Sequence, residues 1–227
     1  MTTILQIDAS VRKTDNQVQK YNSISRSISH SFIKSWMNGS TDTKIIRRDV
    51  GMNPPAFICN EWVAAVFTAE ELRTEEQKSI LALSDSLIDE LVQADLIVIS
   101  APMYNYGMPA ALKAWFDQII RIDKTFSFDL ARGDYPLKPV LSGKKLVLIT
   151  SSGEFGFCPG GIREKMNHLG PHIKTLQAYL GVEEVFEISA EYQEFSDDRH
   201  ALSVDKAHKK AERLAEKLLS AAISVDS

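Results

Sequence analysis

The chain has 227 residues, 44% hydrophobic and 25% charged, with a formal net charge of −4 and an isoelectric point near 5.8. That length fits one domain spanning residues 1–227, large enough to bury roughly 70–75% of the surface its unfolded chain exposes. The mild acidity gives no general attraction to nucleic acid or to an anionic membrane, so an anionic ligand has to be met by local donors. No window carries the ~20 apolar residues of a membrane helix. MTTILQIDAS at the start lacks a basic stretch followed by a long apolar one, so no signal peptide is read and a cytoplasmic location is expected.

In chain order, TILQID (Thr3–Asp8) reads as a first strand and Ser23 to Met37 as a helix. KIIRRDV (Lys44–Val50) is shorter and more polar, as suits an edge strand. From about Thr74 to Ala94, Ile80, Leu83, Leu87 and Leu91 recur at helical spacing. DLIVIS (Asp95–Ser100) is continuously apolar, as a strand covered on both faces must be. A helix then starts near Pro109, where a missing N–H is not needed. KKLVLIT (Lys144–Thr150) is another central strand, and a helix from Pro171 to Leu180 stops at Gly181. VEEVFEIS (Val182–Ser189) is the last strand. A final helix from Val204 to Ile223 carries Ala207, Ala211, Leu214 and Leu218 on one face, and KAHKKAERLAEK reads as its solvated mixed-charge side. Strands alternating with helices predict an α/β three-layer sandwich, flavodoxin-like, with a five-stranded parallel sheet in the order 2-1-3-4-5. Ligands of such sheets bind beyond the strand carboxyl ends, which selects the loops after Asp8, Ser100 and Thr150.

The first of these loops ends in Ser23, Ile24 and Ser25 at a helix start, with Ser10 after the strand. Helix N-terminal amides and hydroxyls suit one phosphate, and the same serines equally serve as caps. No G-x-G-x-x-G or Walker A sequence follows the strand, which disfavours a dinucleotide site. The second loop, MYNYG, offers Met103, Tyr104 and Tyr106 as a shelf for a flat ring and Asn105 as a polar contact; the alternative is packing against the next helix. The third, SSGEFGFCPGG, is a small-residue turn able to aim N–H groups at a polar ring edge. His168 and His172 have a metal-ligand spacing but no apparent third ligand, so no metal is expected. Cys59 and Cys158 are too far apart in sequence for a thiolate pair motif, and Cys158 is read as partly buried.

The segment ALSDSLIDELVQADLIVISAPMYNYGMPAALKAWFDQIIRIDKTFSF (Ala82–Phe128), in which APMYN is followed by LKAWFD and TF, resembles the FMN-dependent NADH-azoreductases, also described as NADH:quinone oxidoreductases, of the flavodoxin-like superfamily. SGKKLVLITSSG (Ser142–Gly153) is similar to the same family. The resemblance implies a tightly bound FMN, its phosphate on Ser10, Ser23, Ile24 and Ser25, and its ring on Met103, Tyr104, Asn105 and Tyr106. It aligns Ser151, Ser152, Gly153 and Glu154 with the family's Ser-Arg-Gly-Gly turn, so that Ser152 replaces the Arg and Glu154 the last Gly. The loop before Ser23 is also longer and more charged than in compact members. Two-electron, ping-pong transfer from NADH or NADPH to quinones and aromatic azo compounds is implied, with the hydride chemistry carried by FMN and no catalytic side chain. Also implied is a homodimer with its pocket at the subunit junction, lined by Phe126, Phe128 and Tyr179, with Trp62 and Phe67 as further aromatics. A flavodoxin-like electron carrier and a flavin-binding regulatory protein without NADH turnover are the competing readings.

Overall fold

The computed structural model describes residues 1–225. In chain order the elements are β1 (Thr2–Asp8), α1 (Ile24–Gly39), β2 (Thr43–Asp49), α2 (Asn60–Val66), α3 (Glu75–Gln93), β3 (Leu96–Pro102) and α4 (Ala110–Ile119). They continue with β4 (Phe126–Phe128), β5 (Leu137–Pro139), β6 (Lys144–Ser151), α5 (Gly170–Leu176), β7 (Val182–Ala190) and α6 (Asp198–Val225). The main sheet has five parallel strands ordered β2-β1-β3-β6-β7. The order in sequence numbering is therefore 2-1-3-6-7, because a short antiparallel hairpin, β4 with β5, intervenes in the chain.

Side-chain alternation along the strands builds two cores. Ile7, Ile97, Ile99, Leu146 and Leu148 face α3, α4 and α5, where Leu87, Leu91, Trp115 and Phe116 meet them. Ile4, Val98, Val147 and Ile149 face α1 and α6, where Phe32, Trp36, Ala211 and Ala215 close the other layer. Each fully buried Leu or Ile contributes about 1.5–3 kcal/mol, so a strand such as β3 is committed to the centre of the sheet by its sequence alone. Small alanines at 207, 211 and 215 allow α6 to lie close against α1.

Several expectations shift. Leu83 is 37% exposed, and Leu81, Ser84 and Ile88 share the buried face of α3 with Leu87 and Leu91. α3 starts at Glu75, beside the expected Thr74, where Thr74 and Gln77 form a reciprocal capping box. The segment expected as a helix from Pro171 to Leu180 is a short α-helix followed by a 3₁₀ turn, stopped by Gly181 at φ 76°. α6 begins at Asp198 instead of near Val204. α2 was not expected; only seven residues long, it is too brief to show a period, and it is held by Trp62, Ala65 and Val66 packing on Leu81. Among the described residues no helix is long and apolar enough to cross a membrane.

Candidate active site

β1 ends at Asp8, in register with Asp49 of β2 and Ser100 of β3, so three polar side chains meet at the carboxyl edge. The Ser100 hydroxyl donates to Asp8 Oδ1 at 2.5 Å. The chain then turns through Ser10 and returns to Ser23, the N-cap of α1, whose Oγ accepts from the Arg26 amide. Ser10 and Ser23 are buried, and Ser25 lies behind Ser23 with its Oγ 3.4 Å from the Ser23 hydroxyl. The amides of the first helical turn have no partner inside the helix and point at the loop.

The conformation of this loop is fixed from beneath. Arg26 donates from Nε and Nη2 to the Ser10 carbonyl at 3.2 and 2.6 Å and grips Asp49 from Nη1 and Nη2 at 2.7 and 2.6 Å. Asp8 lies 3.7 Å from the same guanidinium. A β-carbon at Gly51 would stand 2.1 Å from the Ser10 oxygen, so the β2 exit crosses the loop at a distance only glycine permits. Burial pushes the Asp8 carboxyl above its ordinary value, more than the Ser100 hydroxyl and Arg26 pull it down. Asp49 is the reverse: burial opposes its charge, but the Arg26 hydrogen bond, the Met52 amide and the Arg26 charge together hold it low. For Arg26 burial works against the cation, and Asp49 and Asp8 outweigh it and raise it.

The MYNYG stretch is a closed two-residue turn. Tyr104 N–H donates to Gly107 O and Gly107 N–H to Tyr104 O, both at 3.0 Å. Asn105 and Tyr106 sit at the centre with φ of 48° and 67°. The left-handed region costs a non-glycine residue roughly 1–2 kcal/mol, and such strain collects at functional sites. The Tyr104 hydroxyl accepts from Val11 N–H at 3.4 Å, joining this turn to the first loop. The Met103 amide donates to Ser151 O at 2.8 Å, joining it to the third.

The third loop is held by β7 and its exit. Ser152 N–H donates to Ala190 O at 2.9 Å, and the amides of Gln193 and Glu194 donate to the carbonyls of Ser152 and Gly153 at 3.2 and 3.0 Å. The Ser152 hydroxyl donates to Glu154 O at 2.9 Å and shapes the turn. Cys158, expected to be partly buried, is exposed, because the CPGG stretch runs along the surface.

The three loops enclose a cleft of about 810 Å³. Ser10, Ser23 and Ile24 form one wall, Met103, Tyr104 and Asn105 a second, and Ser151 and Gly153 a third. Ser152 faces a smaller cavity of about 240 Å³ on the other side of Ser151. Tyr106 and Glu154 do not line the large cleft; the Tyr106 hydroxyl donates to Glu154 Oε2 at 3.1 Å, and that bond to the carboxylate raises the phenol above its usual range. Phe126 and Tyr179 pack edge to face at 5.7 Å beneath the hairpin, and neither they nor the exposed Phe128 line the cleft. Trp62 is buried and donates from Nε1 to Gln118 Oε1 at 3.0 Å, and Phe67 is exposed.

A further wall escaped the sequence reading. Gln193 reaches the cleft from the loop after β7, His200 and His208 reach it from α6, and Arg12 and Lys20 reach it from the long first loop. His208 sits in the stretch read as a solvated helix face. It is half-buried against α1, with Nδ1 2.7 Å from Ser31 Oγ and Nε2 3.5 Å from Ser27 Oγ. Burial holds it below the ordinary imidazole value, against the raising charges of Glu212 and Asp205.

The donor set suits a phosphate monoester joined to a flat, largely apolar ring with a polar edge: hydroxyls and helix amides on one wall, Met103 and Tyr104 on the next, turn amides on the third. The family described as having a flavodoxin-like fold matches residues 2–215. The FMN-dependent NADH:quinone oxidoreductase 2 of Colwellia psychrerythraea is 61% identical over 219 residues, covering 96% of this chain and all of that one (100%). The chain belongs to the FMN-dependent NADH:quinone oxidoreductases. The FMN-dependent NAD(P)H:quinone oxidoreductase 1 of Pseudomonas aeruginosa is more distant, 37% identical over 216 residues that cover 95% of this chain and 99% of that one. Among solved structures, an FMN-dependent NADH-azoreductase from Bacillus anthracis in complex with FMN superposes with a TM-score of 0.82 over 96% of this chain and 100% of its own. At 20% identity that likeness speaks for the flavodoxin-like fold. In this oxidoreductase the cleft lies at the carboxyl edge of β1, β3 and β6, where a doubly wound sheet receives its ligand.

Proposed function

We propose that the protein is an FMN-dependent NAD(P)H oxidoreductase that passes two electrons to quinones and aromatic azo compounds by a ping-pong sequence. The observation that carries this reading is the convergence of three loops, distant in sequence, on one cleft whose walls match a phosphate, a flat ring and a polar ring edge. Ser10, Ser23, Ile24 and Ser25 would hold the phosphate, and Met103, Tyr104 and Asn105 would hold the ring, with Tyr106 outside the cleft completing their turn. Ser151, Ser152, Gly153 and Glu154 would form the turn at the ring's polar edge. When bound, FMN supplies the hydride chemistry. The protein then orients donor and acceptor over one open face and lends amide dipoles to the ring edge. No side chain is assigned as acid or base, and among the described residues no group of three or more His, Cys, Asp or Glu is placed to hold a metal.

Counted within the main sheet alone, we read the strands as the flavodoxin-like order 2-1-3-4-5, and residues 1–227 as one domain. We further propose a cytoplasmic homodimer whose active sites lie at the subunit junction. The support for the dimer is the number of large apolar side chains left exposed on the α2 segment and around the β4–β5 hairpin: Phe57, Phe67, Phe128, Leu130 and Tyr135. In that arrangement Phe128, solvent-facing within one chain, and the Phe126–Tyr179 pair behind it would complete the substrate pocket.

The test is an anaerobic absorbance spectrum of the purified protein, taken before NADH, after NADH and then after benzoquinone. A yellow protein that bleaches within seconds and recovers on quinone supports the reading. A yellow protein that NADH leaves unbleached would instead identify an electron carrier or regulatory flavoprotein, and a protein that takes up no FMN would refute the cofactor.

A further inference from the structure

Tyr106 follows Asn105, and Glu154 follows Gly153; Asn105 and Gly153 line two neighbouring walls of the cleft. The side chains just outside those walls are joined. The Tyr106 hydroxyl donates to Glu154 Oε2 at 3.1 Å, and Glu154 Oε1 pairs with Arg163 Nη2 at 2.9 Å. Arg163 donates from Nη1 to Phe155 O at 3.1 Å, and its guanidinium lies over the Phe155 ring, 4.8 Å from the centroid. The Tyr106 ring tilts against Phe157 with centroids 6.2 Å apart, and its carbonyl accepts from His168 N–H at 2.9 Å. The Arg163 and Glu154 side chains are 23% and 34% exposed, so the pair is better shielded than an ordinary surface ion pair.

The backbone at Tyr106 gives this bridge a purpose. A left-handed tyrosine persists only where its surroundings hold it, and here the two backbone bonds of the turn are joined by the bridge, Phe157 and the His168 amide. Of the three residues, Glu154 alone stands where the resemblance places a different residue, a Gly, and Arg163, from farther along the chain, pairs with it.

We propose that Tyr106, Glu154 and Arg163 form a latch that fixes the spacing of the two walls and thereby selects among acceptors, favouring a single-ring quinone over a bulky two-ring azo compound. They are positioning residues. The selectivity part rests on the oxidoreductase reading above; the positioning part stands on the geometry alone.

The experiment compares wild type with Tyr106→Phe, which removes only the hydroxyl, with Arg163→Met, and with Arg163→Lys, which keeps a cation for Glu154. Amide exchange is measured on the apoprotein at Gly107 and His168, with Val98 in the central strand as the control. The ratio of kcat/KM for methyl red to that for benzoquinone is measured on the FMN-loaded protein. The expected result is at least tenfold faster exchange at Gly107 and His168 in Tyr106→Phe and Arg163→Met, with Val98 unchanged. The ratio should rise at least fivefold in both, and Arg163→Lys should restore most of the wild-type values. Unchanged exchange at Gly107 and His168, or acceleration shared by Val98, would overturn the latch as a local device. Accelerated exchange with an unchanged ratio would overturn its role in selectivity. A wild type that NADH cannot reduce would overturn the oxidoreductase reading and, with it, that role, and the exchange result would still decide the positioning claim.

Discussion

Arg26→Met removes the cation beneath the first loop, which takes the guanidinium hydrogen bonds from Asp49 and the Ser10 carbonyl and the nearby positive charge from Asp8. Breaking a buried ion pair by deleting one partner costs about 3–5 kcal/mol. Arg26 is itself only 8% exposed in its side chain, but Asp49 is 34% exposed and water can still reach it. The low end applies, so the variant should lose about 3 kcal/mol near pH 7. For a chain of this size that corresponds to a fall in Tm of roughly 6–12 °C, at about 2–4 °C per kcal/mol. Urea unfolding of the apoprotein, followed by the fluorescence of the buried Trp36, Trp62 and Trp115, measures it directly. The sign of the pH dependence follows from the charges. Without Arg26, both carboxyls have higher pKa values in the folded state than before. The penalty is complete at neutral pH, where both are ionised in the unfolded chain, and shrinks as pH falls to about 4, where protonation removes the uncompensated charge. A penalty below about 1 kcal/mol at pH 7, or one constant from pH 7 to 4, would refute the account of Arg26 as the buried counter-ion of this loop.

The half-buried His208 predicts a second pH effect. Because its folded-state pKa is depressed, it contributes stability that is present above the ordinary imidazole value and is lost as pH falls through the lowered one. The wild-type Tm should decline between pH 7 and pH 5, and His208→Gln should flatten that decline; parallel curves would refute it. Gly51→Ala places a β-carbon 2.1 Å from the Ser10 oxygen, so the loop or the β2 exit has to move. FMN affinity measured by flavin fluorescence should fall at least tenfold, and an unchanged affinity would show the crossing to be tolerant. Phe128→Ala should change the relative kcat/KM across quinones and dyes more than it changes FMN retention, since Phe128 is exposed and lines no part of the cleft within one chain. Unaltered preferences would remove Phe128 from the substrate pocket.

The parts of this molecule that were legible in its sequence are those in which one residue type does one physical task. Continuous apolar runs mark β3 and β6 because both faces of those strands are covered, and Ser23 marks the start of α1 because a cap is needed there whatever is bound. The three loops were found through the topology, which sends them to one edge of the sheet. What stayed hidden depends on tertiary partners. Leu83 fits the helical period of α3 but points to solvent, because the facing surface is wide enough to take Leu81 and Ser84. His208 lies among lysines and glutamates, and only the approach of α1 turns it inward. Tyr106 and Glu154 are 48 residues apart, and no local pattern announces that they meet. Arg26 looks like a surface residue of a helix's first turn until β2 brings Asp49 beside it.

The crossing of Gly51 under Ser10 also spreads the cleft over the whole length of the chain. Ser10, Ser23, Arg26 and Gly51, which build the phosphate wall, all lie in the first quarter of the chain. The second and third walls, at Met103–Asn105 and Ser151–Gly153, leave the ribosome later, and the wall carrying His200 and His208 comes last. The early residues gain their neighbours late, since β1 is flanked by β3 and α1 is covered by α6. A flavin held as proposed becomes secure only when the C-terminal helix docks on α1, so a yellow colour would certify the entire polypeptide and not merely its N-terminal half.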